Sequence, residues 1–338
     1  MSAAPSFPRF RDARGAAFNG LALTYALGGW GAGLWMITRD AWLVAAPGVL
    51  LLFHAMLIAA YLVHDACHDA IFQRHEHNRL AGEVMSFVAG SSYAAYERIR
   101  HLHLRHHRER IDVSCFDYRA FLRRAPRFVR GLVVALEWAY VPAVETIMHF
   151  QVIVRPFVVR DQRQYLPRVL MVLALRGALF AFIGLTAPRA LALYLVAYAL
   201  LLTGLAFFDA FHHTYECYFE PGATPPAREL RSRTYEQAHT FSNVVSLAHP
   251  VLNLFSLNFG YHNAHHERTG VPWYRLPALH AELFAGCPQV LPVRELFRSF
   301  HRNRVRRVFD EDYGELGDGP GRADRFVGAH GVSLLSVV

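Results

Sequence analysis

The sequence predicts an all-α integral membrane fold: four transmembrane helices arranged as two hairpins, with a cytosolic helical cap holding a histidine-rich dimetal site. Three observations predict it. The apolar residues are gathered into runs long enough to cross a bilayer instead of being scattered. The runs come in two pairs, each joined by a very short turn. Almost all the arginines, and every histidine cluster, lie away from those turns.

Residues 1–16 are polar and form an interfacial cap. Arg9, Arg11 and Arg14 precede the first apolar run, which therefore reads as a signal anchor and not as a cleaved signal peptide. Residues 17–38 are Gly-rich and free of charge, the first span. Arg39-Asp40 makes the turn into a second span at 41–63. The cluster His64-Asp65-Ala66-Cys67-His68 stands where that span ends. Residues 64–167 are polar and Arg-rich, the first part of the cap. Within them the apolar stretch 131–154 is interrupted or closed by Glu137, Glu145, His149 and Arg155, so it is expected as a helix at the interface or packed on the core. Spans three and four, 168–187 and 190–209, are separated only by Ala187-Pro188-Arg189. Residues 210–313 complete the cap. A Gly/Asp-rich stretch opens the final segment, 314–338, expected as a loose tail. The whole chain reads as one membrane domain.

Charge sets the orientation. The outer turns carry only Arg39 and Arg189, and apart from Arg176 inside the third span the other arginines fall on the opposite face. By the positive-inside rule that face is cytoplasmic, with both termini and the histidine clusters. Arg176 either snorkels or turns inward and pairs.

The formal net charge is +8 and the chain has no lysine, which excludes Schiff-base, Walker-type and general-base lysine chemistry. With long apolar runs present, the arginine surplus points to lipid headgroups and not to nucleic acid. Cys67, Cys115, Cys217 and Cys287 are scattered without a C-x-x-C pair, so neither a disulfide framework nor a structural zinc knot is expected.

The chemistry lies in the histidines. His64 and His68 are four residues apart, one face of a helix turn. His103, His106 and His107 have i, i+3, i+4 spacing, and His262, His265 and His266 repeat it. Each cluster alone could be a capping or headgroup-binding helix, but three on one membrane face argue for metal. Eight imidazoles exceed what one ion takes and fit a dinuclear centre. Nitrogen ligands at a membrane surface suit non-haem iron used with dioxygen, with zinc as the competitor. Asp65, Asp69, Asp112 and Glu267 are placed to orient the ring N–H groups, or to pair with arginine.

The pattern His64-x-x-x-His68, His103-x-x-His106-His107 and His262-x-x-His265-His266 resembles the three histidine boxes of the membrane fatty acid desaturase and hydroxylase superfamily. The surrounding words HDACHDAIF, RIRHLHLRHH, DAFHHTYE and LNFGYHNAHHERTGVPWYRLPALH add to the resemblance, which runs from about residue 41 to 285. It implies a fold of four spanning helices with a cytosolic cap, two iron ions, dioxygen as co-substrate, and hydrogen removal from an unactivated C–H bond of a lipid or acyl chain. It also implies one more ligand between the fourth span and the third box. His213, in Phe211-His212-His213-Thr214, is favoured, with His239 as the alternative.

A double bond is the expected product. Hydroxylation or ketolation of a lipid or isoprenoid on the same scaffold is the alternative, and the boxes do not separate them. A metal transporter would keep its ligands near mid-membrane, and a zinc hydrolase needs about three. Aromatics such as Phe207, Phe208, Trp138 and Tyr140 are candidates for an acyl tunnel, or ordinary core and lipid-facing residues. No haem-binding His-Pro-Gly-Gly word or cysteine-rich iron–sulfur segment is present. A separate ferredoxin or cytochrome b5 type electron donor is therefore expected on the basic cytosolic face. Candidate contacts are Arg98, Arg100, Arg105 and Arg108, and an amphipathic helix Arg294 to Arg307 bearing Arg298, Arg302, Arg304 and Arg306, which could equally lie on lipid headgroups.

Overall fold

The structure, a computed structural model, describes residues 7–113, 116–215, 217–218, 227–319 and 321–329. Helix α1 (Ala13–Ile37) runs back along α2 (Trp42–Cys67). Small residues let the two backbones approach: a Cβ on Gly33 would lie 3.0 Å from the Leu52 Cα and backbone nitrogen. From Ala55 to Cys67 every residue of α2 is buried, the mark of a helix enclosed on all sides. α2 is therefore the axis of the molecule, and its last turn delivers His64.

Helices α3 (His75–Ala89) and α4 (Tyr96–Glu109) follow. Tyr96 fills the space a side chain at Gly82 would need, which locks the two together. Helices α5 (Tyr118–Arg124), α6 (Arg127–Trp138) and α7 (Ala143–Val158) come next. The stretch expected as one helix over 131–154 is instead two, meeting at a bend of 116°. Tyr140 adopts φ 56° and Pro142 has no N–H to continue the ladder. Glu137 accepts the freed Ala143 N–H at 2.7 Å. Helices α8 (Leu166–Thr186) and α9 (Pro188–Asp209) form the second long pair. Arg189 donates to the carbonyls of Arg39 and Asp40 and stacks over Trp42 at 4.7 Å, so the two tight turns lie side by side.

Among the described residues three helices are long and apolar enough to cross a membrane: α2, α9, and α8 with the short 3-10 segment before it. The bent α6–α7 pair would make a fourth. The stretch expected as the first span is a helix, the 25-residue α1, but it is not among these three: its glycines, Asn19 and tryptophans dilute its apolarity. Arg176 turns inward. It is buried, donates to the Phe87 carbonyl at the end of α3, and lies over the Phe87 ring at 4.8 Å.

The fold is mostly helical, with two short parallel ladders that the sequence reading did not include. Strand β1 (Asp112–Val113) pairs with β2 (Cys217–Tyr218), and β3 (Ser242–Val244) with β4 (Val290–Pro292). Between them lie α10 (Arg233–Ala238), α11 (His262–Glu267) and α12 (Leu276–Leu283). The expected helix Arg294 to Arg307 breaks at Asn303 into α13 (Val293–Arg302) and α14 (Arg304–Phe309). Residues 314–319 and 321–329 correct the expectation of a loose tail. Ala323 and Phe326 are buried against Phe211, Phe241 and Leu296, and the Ala329 N–H donates to the Ala210 carbonyl at 2.8 Å. Residues 330–338 lie outside the described residues.

Candidate metal centre

Four separate elements deliver the imidazoles. The end of α2 carries His64 and its cap residue His68; one face of α4 carries His103, His106 and His107. The bend after α9 carries His213, and α11 carries His262, His265 and His266. α11 is only six residues long, so its position is set by its neighbours. At Gly260, just before it, a Cβ would fall 2.2 Å from the Asn243 carbonyl oxygen of β3, so only glycine permits this approach. On the other side the Trp273 N–H donates to Asp65 at 3.2 Å and its indole to Asn19 at 2.8 Å, fastening the chain after α11 to α2 and α1.

Nine imidazoles converge in two adjoining groups. His64, His68, His103, His107 and His265 bring five ring nitrogens within 4.8 Å of one another. His106, His213, His262 and His266 gather beside them, with His107 shared along the boundary. Facing Nε2 atoms are 3.1 Å apart for His64–His265, 2.7 Å for His68–His103 and 3.1 Å for His265–His107. In the second group they are 2.7 Å for His262–His213, 2.9 Å for His213–His266 and 3.4 Å for His106–His266. Ligands about 2.1 Å from a common ion stand about 3.0 Å apart at right angles and about 3.4 Å apart at tetrahedral angles.

The other ring nitrogen tells which way each imidazole is wired. His106 donates from Nδ1 to the Ile111 carbonyl at 2.8 Å, with Asp112 at 3.1 Å. His213 Nδ1 faces the same Asp112 at 3.5 Å, and His266 Nδ1 faces Glu236 at 3.0 Å. With Nδ1 as donor, a neutral ring presents its lone pair at Nε2, so His213 and His106 each set a lone pair against that of His266, at 2.9 Å and 3.4 Å. A cation between such facing lone pairs relieves their repulsion, so the donor set fits a metal. Burial and neighbouring imidazoles hold His103, His107, His262, His265 and His266 well below the usual histidine range, leaving them neutral and able to ligate. For His106 burial acts the same way, but the Asp112 hydrogen bond and charge outweigh it and raise the pKa. Burial likewise pushes Asp112 up, yet His213 and His106 hold it down at about 2, so it stays anionic.

His239 stands apart: its ring stacks on Tyr235 at 3.9 Å and its Nδ1 donates to the Tyr235 carbonyl. His212 stacks on His262 at 4.1 Å without joining either group. Of the carboxylates expected to orient the rings, Asp65 reaches His64 Nδ1 at 3.4 Å and Asp112 serves two rings. Asp69 pairs with His75 and Arg100, and Glu267 with Arg233. Their place is taken by Glu236, which the sequence does not mark: in Arg233-Thr-Tyr-Glu236 it reads as a surface charge beside arginine. It is buried, and Arg110 holds it at 2.7 Å. Glu236→Ala should weaken metal binding by about 10- to 100-fold, measured by metal-buffer titration of the purified protein.

Of the tunnel candidates, Phe208 lies near the centre, 6.4 Å from the rings of Tyr61 and His212. Phe207 packs on Phe297 and Phe300, while Trp138 and Tyr140 lie half-exposed beneath Arg304. Among the donor-face candidates Arg105 and Arg304 are buried, so neither is a surface contact.

No curated protein matches this sequence. The family model for fatty acid desaturases matches residues 40–297, from the turn before α2 into α13 and across all nine converging histidines, and the chain belongs to that family.

Proposed function

We propose that the protein is an oxygen-dependent di-iron lipid desaturase. The observation that carries the reading is the convergence of nine inward-facing imidazoles into two adjoining groups, several with their outer nitrogens held by carboxylates or a carbonyl. His64, His68, His103, His107 and His265 would hold one iron, and His106, His213, His262 and His266 the other. Two iron ions bound there supply the reduction of dioxygen and the removal of hydrogen from an unactivated C–H bond.

The chain's own part is to hold and to shield. Asp112 and Glu236 keep protons on the outer nitrogens of His106, His213 and His266, which fixes the rings in the ligating tautomer. Phe259 forms an apolar wall on the α2 side, 4.7 Å from the rings of His64 and Tyr61 and 5.1 Å from His262. An acyl chain laid against Phe259, Tyr61 and Phe208 would bring a methylene to the metal side and exclude water. α1, α2, α8 and α9 are read as the four spans, with both termini and the histidines on the cytoplasmic side. Electrons come from a separate ferredoxin or cytochrome b5 type protein.

The test is a lipid mass comparison in one host of wild type against His106→Ala, with anaerobic growth as control. The expected result is a wild-type-only, oxygen-dependent product two hydrogens lighter than its precursor. A product one oxygen heavier would replace desaturation with hydroxylation. Zinc in place of iron in the purified protein, with no oxygen-dependent product, would overturn the oxidative reading.

A further inference from the structure

The helix that carries His103, His106 and His107 begins in the interior, at a joint whose helix ends lack caps of their own. α3 ends at Ala89 and α4 starts at Tyr96, and residues 88–94 between and beside them are buried. A buried helix end leaves backbone N–H and C=O groups that need protein partners, because water does not reach them. α3 has no basic residue in its last turn, and Ala95, at the N-cap position of α4, offers no side-chain acceptor. The Ser86 carbonyl is met locally, by the N–H groups of Gly90 and Ser91 at 3.0 and 2.9 Å. The Phe87 carbonyl and the Tyr96 N–H are met from elsewhere.

Both partners trace to α8. Arg176 donates to the Phe87 carbonyl and lies over the rings of Phe87 and Tyr93, at 4.8 and 6.0 Å. Among the described residues it has no carboxylate partner, so the carbonyl end of α3 and the two ring faces balance its charge. Two turns earlier on α8, Arg168 donates from Nε to the Ser92 carbonyl at 2.9 Å and grips both carboxylate oxygens of Glu83. Glu83 belongs to α3, and its Oε1 accepts the Tyr96 N–H at 3.2 Å, which caps α4 with a negative charge. Arg168 and Glu83 expose only 23% and 26% of their side chains, so the pair is screened less than a surface ion pair. One helix thus supplies what the joint lacks on both sides.

We propose that Arg168, Glu83 and Arg176 are positioning residues through which α8 sets the place of α4, and with it His103, His106 and His107, against the histidines of α2 and α11. This rests on the reading of the imidazole groups as a metal centre. The leverage is geometric. α4 has 14 residues, and His103 stands seven residues after Tyr96, roughly 10 Å along the axis at 1.5 Å per residue. A tilt of about 5° at the joint moves that ring by about 1 Å, whereas ligating groups must be held to within about 0.5 Å.

Hydrogen exchange and cobalt(II) binding test it together. Metal-free wild type, Glu83→Ala, Glu83→Gln, Arg176→Met and Ile183→Ala are compared in one detergent by peptide-resolved exchange, then titrated with cobalt(II). In Glu83→Ala and Arg176→Met the amides of α4 should exchange about 10-fold faster while those of α2 keep their protection. Cobalt(II) affinity should fall by about 10-fold in the same two variants, and Glu83→Gln, which keeps an acceptor for the Tyr96 N–H, should recover part of both losses. Ile183 is buried near the other end of α8, so Ile183→Ala lowers Tm without touching the clamp and should keep α4 protection and cobalt affinity within about twofold. If Glu83→Ala does not fold, Glu83→Gln and Arg176→Lys carry the test, with changes of about threefold expected. Unchanged α4 exchange overturns the proposal. So does faster exchange at wild-type cobalt affinity, or an equal loss of affinity in Ile183→Ala. Wild type that takes up no cobalt counts against the metal centre itself, and the exchange comparison, made without metal, still decides whether α8 holds α4.

Discussion

His107→Ala is expected to abolish oxygen-dependent turnover and to lower bound metal below half the wild-type content. His107 is the side chain shared by the two imidazole groups: its Nε2 lies 3.2 Å from that of His103 and 3.1 Å from that of His265, and it also belongs with His106 and His266. Removing it opens both groups at once, so the loss should exceed the roughly 10- to 100-fold cost of losing an outer carboxylate partner. The matched control is His101→Ala on the same helix. His101 is exposed and outside both groups, so its removal should leave metal content and turnover within about twofold. Metal analysis of membranes with equal protein content reads both. Equal metal in the two variants would remove His107 from the ligand set.

His213→Ala against His239→Ala is the second large contrast. His213 places Nε2 2.7 Å from His262 and 2.9 Å from His266, and turns Nδ1 to Asp112. Its loss should remove most activity and leave Asp112 facing one ring instead of two. His239 is satisfied by Tyr235 through its Nδ1 and its stacked ring. Replacing it should cost about 1 kcal/mol of stability and leave metal content intact. Thermal melts together with iron content separate the outcomes, and the reverse pattern would transfer the ligand role to His239.

What was legible in the sequence is what repeats locally. Apolar runs announced the long helices because a bilayer-length stretch has no other use for so many uncharged residues. The i, i+3, i+4 spacing of His103, His106 and His107 placed three rings on one face of α4 before any tertiary contact was known. The partners of those rings were legible only by half. Asp112 directly follows α4, so chain proximity pointed to it. Glu236 arrives from 124 residues beyond Asp112, on a six-residue helix whose position depends on α11 and on Arg110. Glu267 adjoins His266 in sequence but points to Arg233, because a neighbour on a helix faces another way. The burial of Arg105 and Arg304 escaped for a related reason. Composition makes arginine a surface residue, whereas Glu109 and the Trp138 and Tyr140 rings make interior places for these two. The break at Tyr140 and the packing of Phe326 against Phe211 are likewise products of distant contacts.

The span of chain between facing rings carries a consequence for how the protein is made. His64 and His265 meet at 3.1 Å although 201 positions separate them. At about 5–20 residues per second, a ribosome that has just completed His64 needs roughly 10–40 s to reach His265. During that interval α2, α8 and α9 can enter the bilayer, but neither imidazole group can close. Any metal binding by the complete groups is thereby deferred to the end of synthesis, and a nascent chain halted before α11 leaves its histidines unmatched. Metal selection in this protein is a question of timing as well as of ligand chemistry.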